Sequence, residues 1–283
     1  LSAASPISSS MTPRRAEGDV FSQREAEEIV ELLATHAKNL YLSPSERMEL
    51  LGVIDALRAI DDANAGVDEP GRRVSVLWNT RSLRRYGGEG GGSHDVDGQE
   101  LCWAIQSKRN NELLEDLVGD KSSNASIEWL KVKRLGIPIW LRNVEELRGL
   151  VERCAKSEFA RTKNADDCAL LFIIVDRVKV LAGLYKATQN TRLYEFMCRD
   201  FTEQRHREAA LKNAYALLSK HRYAFAAAFF VLAGQPLDAA LLVWKHEKDL
   251  SLTLAIARLC FKDDAGEQTK THLNKAVTSM LER

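Results

Sequence analysis

Apolar residues recur along this chain at spacings of three and four, and polar residues fill the positions between them. Ile29, Leu32, Leu33, His36, Ala37 and Leu40 form one such stripe, and Ser22 followed by Glu25 reads as a capping box that opens its helix. Ser43, Pro44 and Glu46 supply an N-cap, a proline at the first helical position and a carboxylate at the third. They open a second helix whose stripe is Leu50, Val53, Ile54, Leu57 and Ile60. Beyond a glycine-rich interruption come short helical patterns at 101–105, 113–118 and 127–135. Asn143 with Glu146 then opens a longer helix with Val144, Leu147, Val151, Cys154, Ala155 and Phe159 on one face. Further helices are predicted at 166–175, 178–187, 193–199, 203–221, 223–233, 236–247 and 250–261, with a last amphipathic stretch over 268–281.

No segment sustains the period-two alternation of a hairpin, and the one β-like run, Arg73 to Trp78, is short. The expected fold class is therefore all-α. Helices of about three turns joined by short links form antiparallel neighbours, and a train of such hairpins either closes into a bundle or stacks into a solenoid. Small residues Ala226, Ala227, Ala228, Ala233, Gly234, Ala239 and Ala240 favour the solenoid, an α-solenoid of stacked antiparallel helical hairpins in the tetratricopeptide or coatomer manner, although the period is not strict. The domain reading is a Ser/Pro-rich segment at 1–21, an N-terminal helical segment at 22–86, a glycine-rich flexible loop at 87–98, a helical-repeat core at 99–262 and a C-terminal helix at 263–283.

Composition narrows the function classes. The 283 residues carry 40 Lys plus Arg against 40 Asp plus Glu, so the basic surplus of a nucleic-acid binder is absent. The longest apolar run, Ala224 to Gly234, is too short to cross a bilayer. Five cysteines, Cys102, Cys154, Cys168, Cys198 and Cys260, lie far apart with no CxxC, as expected of buried thiols in a reducing compartment. The first residue is Leu and the start has no apolar core, so it reads as part of a longer chain rather than a secretory signal; a transit peptide is a weaker reading of the same Ser/Arg-containing start.

The chemistry-bearing patterns point away from catalysis. The glycine cluster has neither GxGxxG nor GxxxxGK[ST] spacing. His246-Glu247 begins like a zinc-protease motif, but Leu250 stands where the second His is needed. His36 reads as a core or boundary histidine, and Cys154 and Cys168 as core packing. Asp166-Asp167 complement a helix dipole. No catalytic, cofactor or metal residue is assigned. Two basic sets remain: Lys131, Lys133 and Arg134, and the group from Arg199 to Arg222. The second is interleaved with Asp200, Glu203 and Glu208, and reads either as a solvated face or as a dock for an acidic protein surface or an anionic membrane.

Particular residues add to the periodicity. Phe201, Arg205, Arg207, the run Ala209-Ala210-Leu211-Lys212-Asn213-Ala214, Leu217-Leu218, Lys220, Arg222 and Ala227-Ala228-Phe229-Phe230 resemble the C-terminal region of the RAVE complex large subunit, the DmX-like (rabconnectin-3 alpha) family. Collinear matches include Trp103-Ala104, Trp140-Leu141-Arg142, Ala169-Leu170, Gly183-Leu184, Asp249-Leu250 and Ala255 to Leu259. The resemblance covers Gln99 to Leu259 well and Leu42 to Trp78 more loosely. His206 and Ala182 stand where the family usually has Trp, Ser219 where it has Gly, and Asp176-Arg177-Val178 in place of a basic triplet, which marks a divergent lineage.

The resemblance implies WD-repeat propellers upstream and a non-enzymatic scaffold. Such a scaffold would bind peripheral-sector subunits of the vacuolar proton ATPase and other RAVE subunits, promote reassembly with the membrane sector, and work in the cytoplasm at the surface of vacuoles and endosomes. Nucleic acid and cofactors have no place in that role. Arg205, Arg207 and Lys212 are the expected partner-binding residues. Ala209, Ala210 and Ala214 are expected to allow close helix approach, and Asn213 to satisfy a neighbouring backbone group. A vesicle-coat or tethering subunit is the alternative from another class, since coats also join propellers to solenoids.

Overall fold

A computed structural model describes residues 23–36, 41–43, 46–47, 50–54, 66–86, 96–119 and 126–261. All regular structure among them is helical. Fourteen segments organise the account: α1 (Gln23–His36), α2 (Glu69–Tyr86), α3 (Gly98–Gln106), α4 (Asn110–Val118), α5 (Trp129–Arg134), α6 (Ile137–Trp140), α7 (Val144–Thr162), α8 (Ala165–Ile174), α9 (Val178–Ala187), α10 (Thr191–Met197), α11 (Gln204–Leu218), α12 (Tyr223–Leu232), α13 (Pro236–Glu247) and α14 (Leu250–Cys260). Consecutive helices pack in adjacent pairs from α7 onward, so the chain is a helical solenoid segment. The calls on residues 1–22, on Ala37, Leu40, Leu57 and Ile60 of the first two stripes, on 87–95 and on 262–283 lie outside the described residues.

The chain divides into two compact units, the smaller holding residues 1–65 and 79–91, the larger 66–78 and 92–283. In the smaller, Ala26, Leu33 and Ile54 are buried with Ile29, Val30, Leu42 and Leu51 against them. Ser43 and Glu46 form the expected capping box. The Ser43 backbone N–H and hydroxyl both donate to Glu46 Oε2 at 2.8 Å, and the Glu46 N–H donates back to Ser43 Oγ at 3.2 Å. These bonds hold the Glu46 carboxyl below its ordinary pKa. The first stripe is narrower than expected: Leu32 is 55% exposed and His36 is exposed, not a core or boundary residue.

The β-like run Arg73 to Trp78 is helical, inside α2. Its β-branched residues are few, and α2 is fixed by tertiary contacts that override local propensity. Asp68 accepts from Ser107 Oγ at 2.7 Å and from the Lys108 N–H at 2.7 Å, Arg73 lies 4.3 Å over the Trp103 ring, and Ser75 Oγ donates to Asp116. Gly98, expected in the loop, is the first residue of α3; Asp97 caps it by accepting from the Gln99 N–H at 2.8 Å.

The larger unit is built around two helices that are apolar on every side. In α8, Cys168 to Ile174 are all buried, and in α12, Phe225 to Phe230. A helix with no polar face must be covered all round. The two pack on each other, with α7 and α9 flanking α8 and with α11 and α13 flanking α12.

Left-handed residues mark a repeat within this arrangement. Lys163, Asp176 and Gln189 follow α7, α8 and α9 at φ 56, 61 and 59, and His221, Gly234 and Lys248 follow α11, α12 and α13 at φ 57, 80 and 52. Each series keeps nearly the same spacing. After α8 the Arg177 N–H donates to Phe172 O at 2.8 Å, and after α12 the Gln235 N–H donates to Phe230 O at 2.9 Å, the closing bond of a Schellman motif in both. Asn190 and Asp249 cap the next helices alike, accepting from the Leu193 and Leu252 N–H groups. Burial matches as well, Leu181, Ala182 and Tyr185 on α9 corresponding to Ala239, Ala240 and Val243 on α13. Helices α7–α10 and α11–α14 are thus two copies of one four-helix unit.

The last helix closes back on the first part of the unit. Trp129 Nε1 donates to Asp249 Oδ2 at 3.0 Å, and Lys133 Nζ lies 3.5 Å from the same oxygen. Arg258 donates to Pro138 O at 2.8 Å and to Arg142 O at 3.1 Å, and burial lowers its pKa. Through these bonds α14 covers α5, α6 and α7.

Candidate partner-binding surface

Helix α11 carries the three residues expected to meet a partner. Its buried side is slight: Ala210 and Ala214 are fully covered and Leu211, Leu217 and Leu218 half-buried, all against α12. The two alanines let α11 lie close to α12, as expected. Asn213 does not satisfy a neighbouring backbone; it is exposed, and no bond from its side chain is found among the described residues.

Helical geometry splits the basic trio. Arg205 and Lys212, seven residues apart, lie within about 20° of each other around the axis, on the outward face. Both are exposed, and neither has a hydrogen bond or ion pair among the described residues. Arg207 projects from nearly the opposite side, where its Nε donates to Phe201 O at 2.8 Å. It ties the α10–α11 link to the start of α11, with its Cδ beside Gly234. His206 is likewise turned inward on the link, its Nδ1 2.8 Å from Asp200 O. The acidic residues interleaved here are already engaged: Asp200 accepts from the Thr202 N–H at 2.8 Å, which lowers its pKa, and Gln204 Nε2 donates to Glu208 at 3.2 Å. Those bonds come from neutral groups and leave the carboxylates charged, so the outward face of α11 carries Arg205 and Lys212 with Glu208 between them and is positive only on balance.

Sequence reasoning missed Tyr215. It is 57% exposed on the same side of α11 as Lys212, and its ring meets Phe230 edge-on at 5.3 Å between centroids. Only the stripe register, with Leu211 and Leu218 turned inward, marked it as an outward aromatic.

The remaining candidates sit in structural roles. Arg222 Nη2 donates to Asp166 Oδ2 at 2.8 Å and Tyr185 OH donates to Asp166 Oδ1 at 2.9 Å, so Asp166, expected only to complement a helix dipole, also braces α8, α9 and the start of α12. Burial, followed by the neighbouring carboxylate, pushes the Tyr185 pKa up. His246 stacks on Tyr223 at 4.0 Å, and Tyr223 OH lies 2.7 Å from His221 Nδ1. The basic set at 131–134 is dispersed: Lys133 turns to Asp249, and burial lowers the Lys131 pKa. Cys154 and Cys168 are buried in the core as expected, whereas Cys102 and Cys198 are exposed, against the expectation of five buried thiols; burial pushes the thiols of Cys154, Cys168 and Cys260 up to about 12. A groove of 260 Å³ between α4 and α7 has Leu114, Leu150, Gly119 and Gly149 in its lining, edged by Glu115, Glu146, Glu152, Arg153 and Lys156. Among the described residues no three His, Cys, Asp or Glu side chains converge on a metal position, and no helix is long and apolar enough to cross a membrane.

The family described as RAVE protein 1 C terminal matches residues 3–280. The chain belongs to that family. It is 36% identical over 178 residues to DmX-like protein 1 of Homo sapiens, which covers 62% of this chain and 6% of the relative. It is 27% identical over 242 residues to regulator of V-ATPase in vacuolar membrane protein 1 of Schizosaccharomyces pombe, 83% of this chain and 18% of the relative. The Saccharomyces cerevisiae protein of the same name is 27% identical over 236 residues, 80% of this chain and 16% of that relative. The chain thus spans less than a fifth of each of these proteins.

Proposed function

We propose that this chain is a segment of a non-enzymatic regulator of the vacuolar proton ATPase, a scaffold that promotes association of the peripheral sector with the membrane sector and so supports acidification of vacuoles and endosomes. The observation that carries the reading is the alignment, over 83% of the chain, with a protein named as a regulator of V-ATPase in the vacuolar membrane. The helical architecture supports it, because a solenoid presents long surfaces to protein partners without doing chemistry of its own. The working place is the cytoplasmic surface of those membranes, with attachment through partners. Arg205 and Lys212 are the contact residues, and Arg207 supports them by holding the link before α11.

The test deletes residues 99–262 from the full-length protein in cells. The proposal predicts less peripheral sector recovered with vacuolar membranes and a higher luminal pH. Unchanged recovery and unchanged pH, with coat subunits co-purifying instead, would transfer the chain to the tethering class.

A further inference from the structure

We infer that the outward face of α11 is a docking surface for an acidic helix of a protein partner, with Arg205 and Lys212 as its two charge contacts and Tyr215 as its apolar anchor. The inference rests on the scaffold reading above and gives that site its chemistry.

Three observations meet on this face. The first is unsatisfied charge. Arg205 and Lys212 stand two helical turns apart, about 10 Å along the axis, exposed and unpaired among the described residues, and outnumber the one carboxylate, Glu208, that lies between them on this face. Two cations at a seven-residue spacing match carboxylates spaced seven apart on a second helix lying along the first.

The second is the anchor. Tyr215 leaves 57% of its surface in solvent, yet Phe230 fixes its ring from below. A tyrosine held in place loses little freedom on binding, and Tyr with Arg dominates the energetics of protein contacts.

The third comes from the repeat. Helix α7 occupies in the first copy the place of α11 in the second, and α5 and α14 lie against it as well as α8. Five of its residues, Leu147, Leu150, Val151, Cys154 and Ala155, are buried, whereas α11 buries two alanines and packs chiefly on α12. Among the described residues, the helix that has covering neighbours in one copy has only α12 against it in the other. The polar outward face of α11 selects a charged occupant for that position rather than another apolar helix.

The experiment uses the full-length protein and the isolated peripheral sector of the vacuolar ATPase as the probe, with equilibrium binding measured at low and at physiological salt. Arg205→Glu with Lys212→Glu is expected to weaken binding about ten- to a hundred-fold, and to flatten its salt dependence. Tyr215→Ala is expected to weaken it about ten-fold at both salts. Arg205 and Lys212 are exposed, so the charge reversal should leave helicity and melting unchanged, while Tyr215→Ala should keep the helicity and lower melting only by the loss of its edge contact with Phe230; both are checked for each variant. A carbodiimide, which joins an amine directly to a carboxylate, should link Lys212 to an Asp or Glu of a helical segment of the sector. Binding by the unaltered protein that is indifferent to the charge reversal overturns the docking inference and leaves the scaffold reading standing. No binding by the unaltered protein overturns the scaffold reading itself. Loss of binding to vesicles of phosphatidylcholine with phosphatidylserine, with sector binding intact, overturns the inference in favour of a membrane contact.

Discussion

The two copies of the four-helix unit share the cap of their last helix, their left-handed turns and the register of buried positions in their second and third helices, yet they differ in what covers their first helix. Helix α7 is enclosed because α14 returns to it, held by Asp249 to Trp129 and by Arg258 to the carbonyls of Pro138 and Arg142. Helix α11 lies at the far side of α12 with a charged face outward. The same local structure thus serves as core in one place and as surface in the other. What distinguishes them among the described residues is that α5 and α14 reach α7. In the first copy the sequence responds with Leu147, Leu150 and Val151; in the second with Arg205, Lys212 and Tyr215.

The equivalence of the two cores can be broken most severely at their centre. Phe172 and Phe230, 1% and 4% exposed at matched positions of α8 and α12, should each cost about 3–5 kcal/mol when replaced by Ala. Native-state hydrogen exchange should report similar losses in both helices; a loss confined to one would show that the copies do not share a core.

A smaller effect separates the copies. Tyr185 in the first donates to Asp166, where the second has Val243 packed by shape alone. Tyr185→Phe should therefore destabilise the α8–α9 pair by about 1–2 kcal/mol, since a bond to a carboxylate is lost while Asp166 keeps Arg222 and some water. Exchange in α12 and α13 should change less than in α9.

The turns sharpen the comparison further. Asp176 and Gly234 hold the same left-handed place, but only glycine does so without strain from a Cβ. Gly234→Ala should cost about 1 kcal/mol, and Asp176→Gly should gain up to about 1 kcal/mol, both read as shifts in thermal unfolding. Equal signs for the two substitutions would contradict the equivalence.

The smallest difference is in acid. Lys156, and then Arg177, hold the Glu152 carboxyl below its ordinary pKa, against the cost of partial burial. A lowered folded-state pKa means that the contribution is fully present above the unfolded value. It is lost as pH falls through the folded one, so the α7–α9 contact should weaken below about pH 4. Lys156 and Arg177, the partners of Glu152, are 61% and 53% exposed, and solvent screening of them keeps the loss to about a few tenths of a kcal/mol. Glu152→Gln should remove this step from an acid titration followed by exchange in α7.

Much of this fold is legible in the sequence because the helices announce their own ends. Asn143 caps α7 by accepting from the Glu145 and Glu146 N–H groups, and α9 and α13 begin and end where the apolar period does. The repeat was hidden because its markers are conformational: of the six left-handed residues only Gly234 is a glycine, and Lys163, Asp176, Gln189, His221 and Lys248 give no such signal in a string of letters. Helix α2 was obscured for a different reason, its first half being placed by Asp68, Ser75 and Arg73 reaching residues of α3, α4 and the turn between them. In the candidate surface, composition drew Arg205, Arg207 and Lys212 together, but the helical turn parts them. Tyr215 was passed over because an aromatic residue within an apolar stripe reads as core until its angle around the axis is known.

The central claim, that one copy of the unit is completed within the chain and the other by a partner, is tested most directly by hydrogen exchange of the full-length protein with and without the peripheral sector of the vacuolar ATPase. The account predicts new protection in α11, over 204–218, and none in α7, which is already covered. Protection that appears in α7, or binding that leaves α11 unchanged, would contradict it.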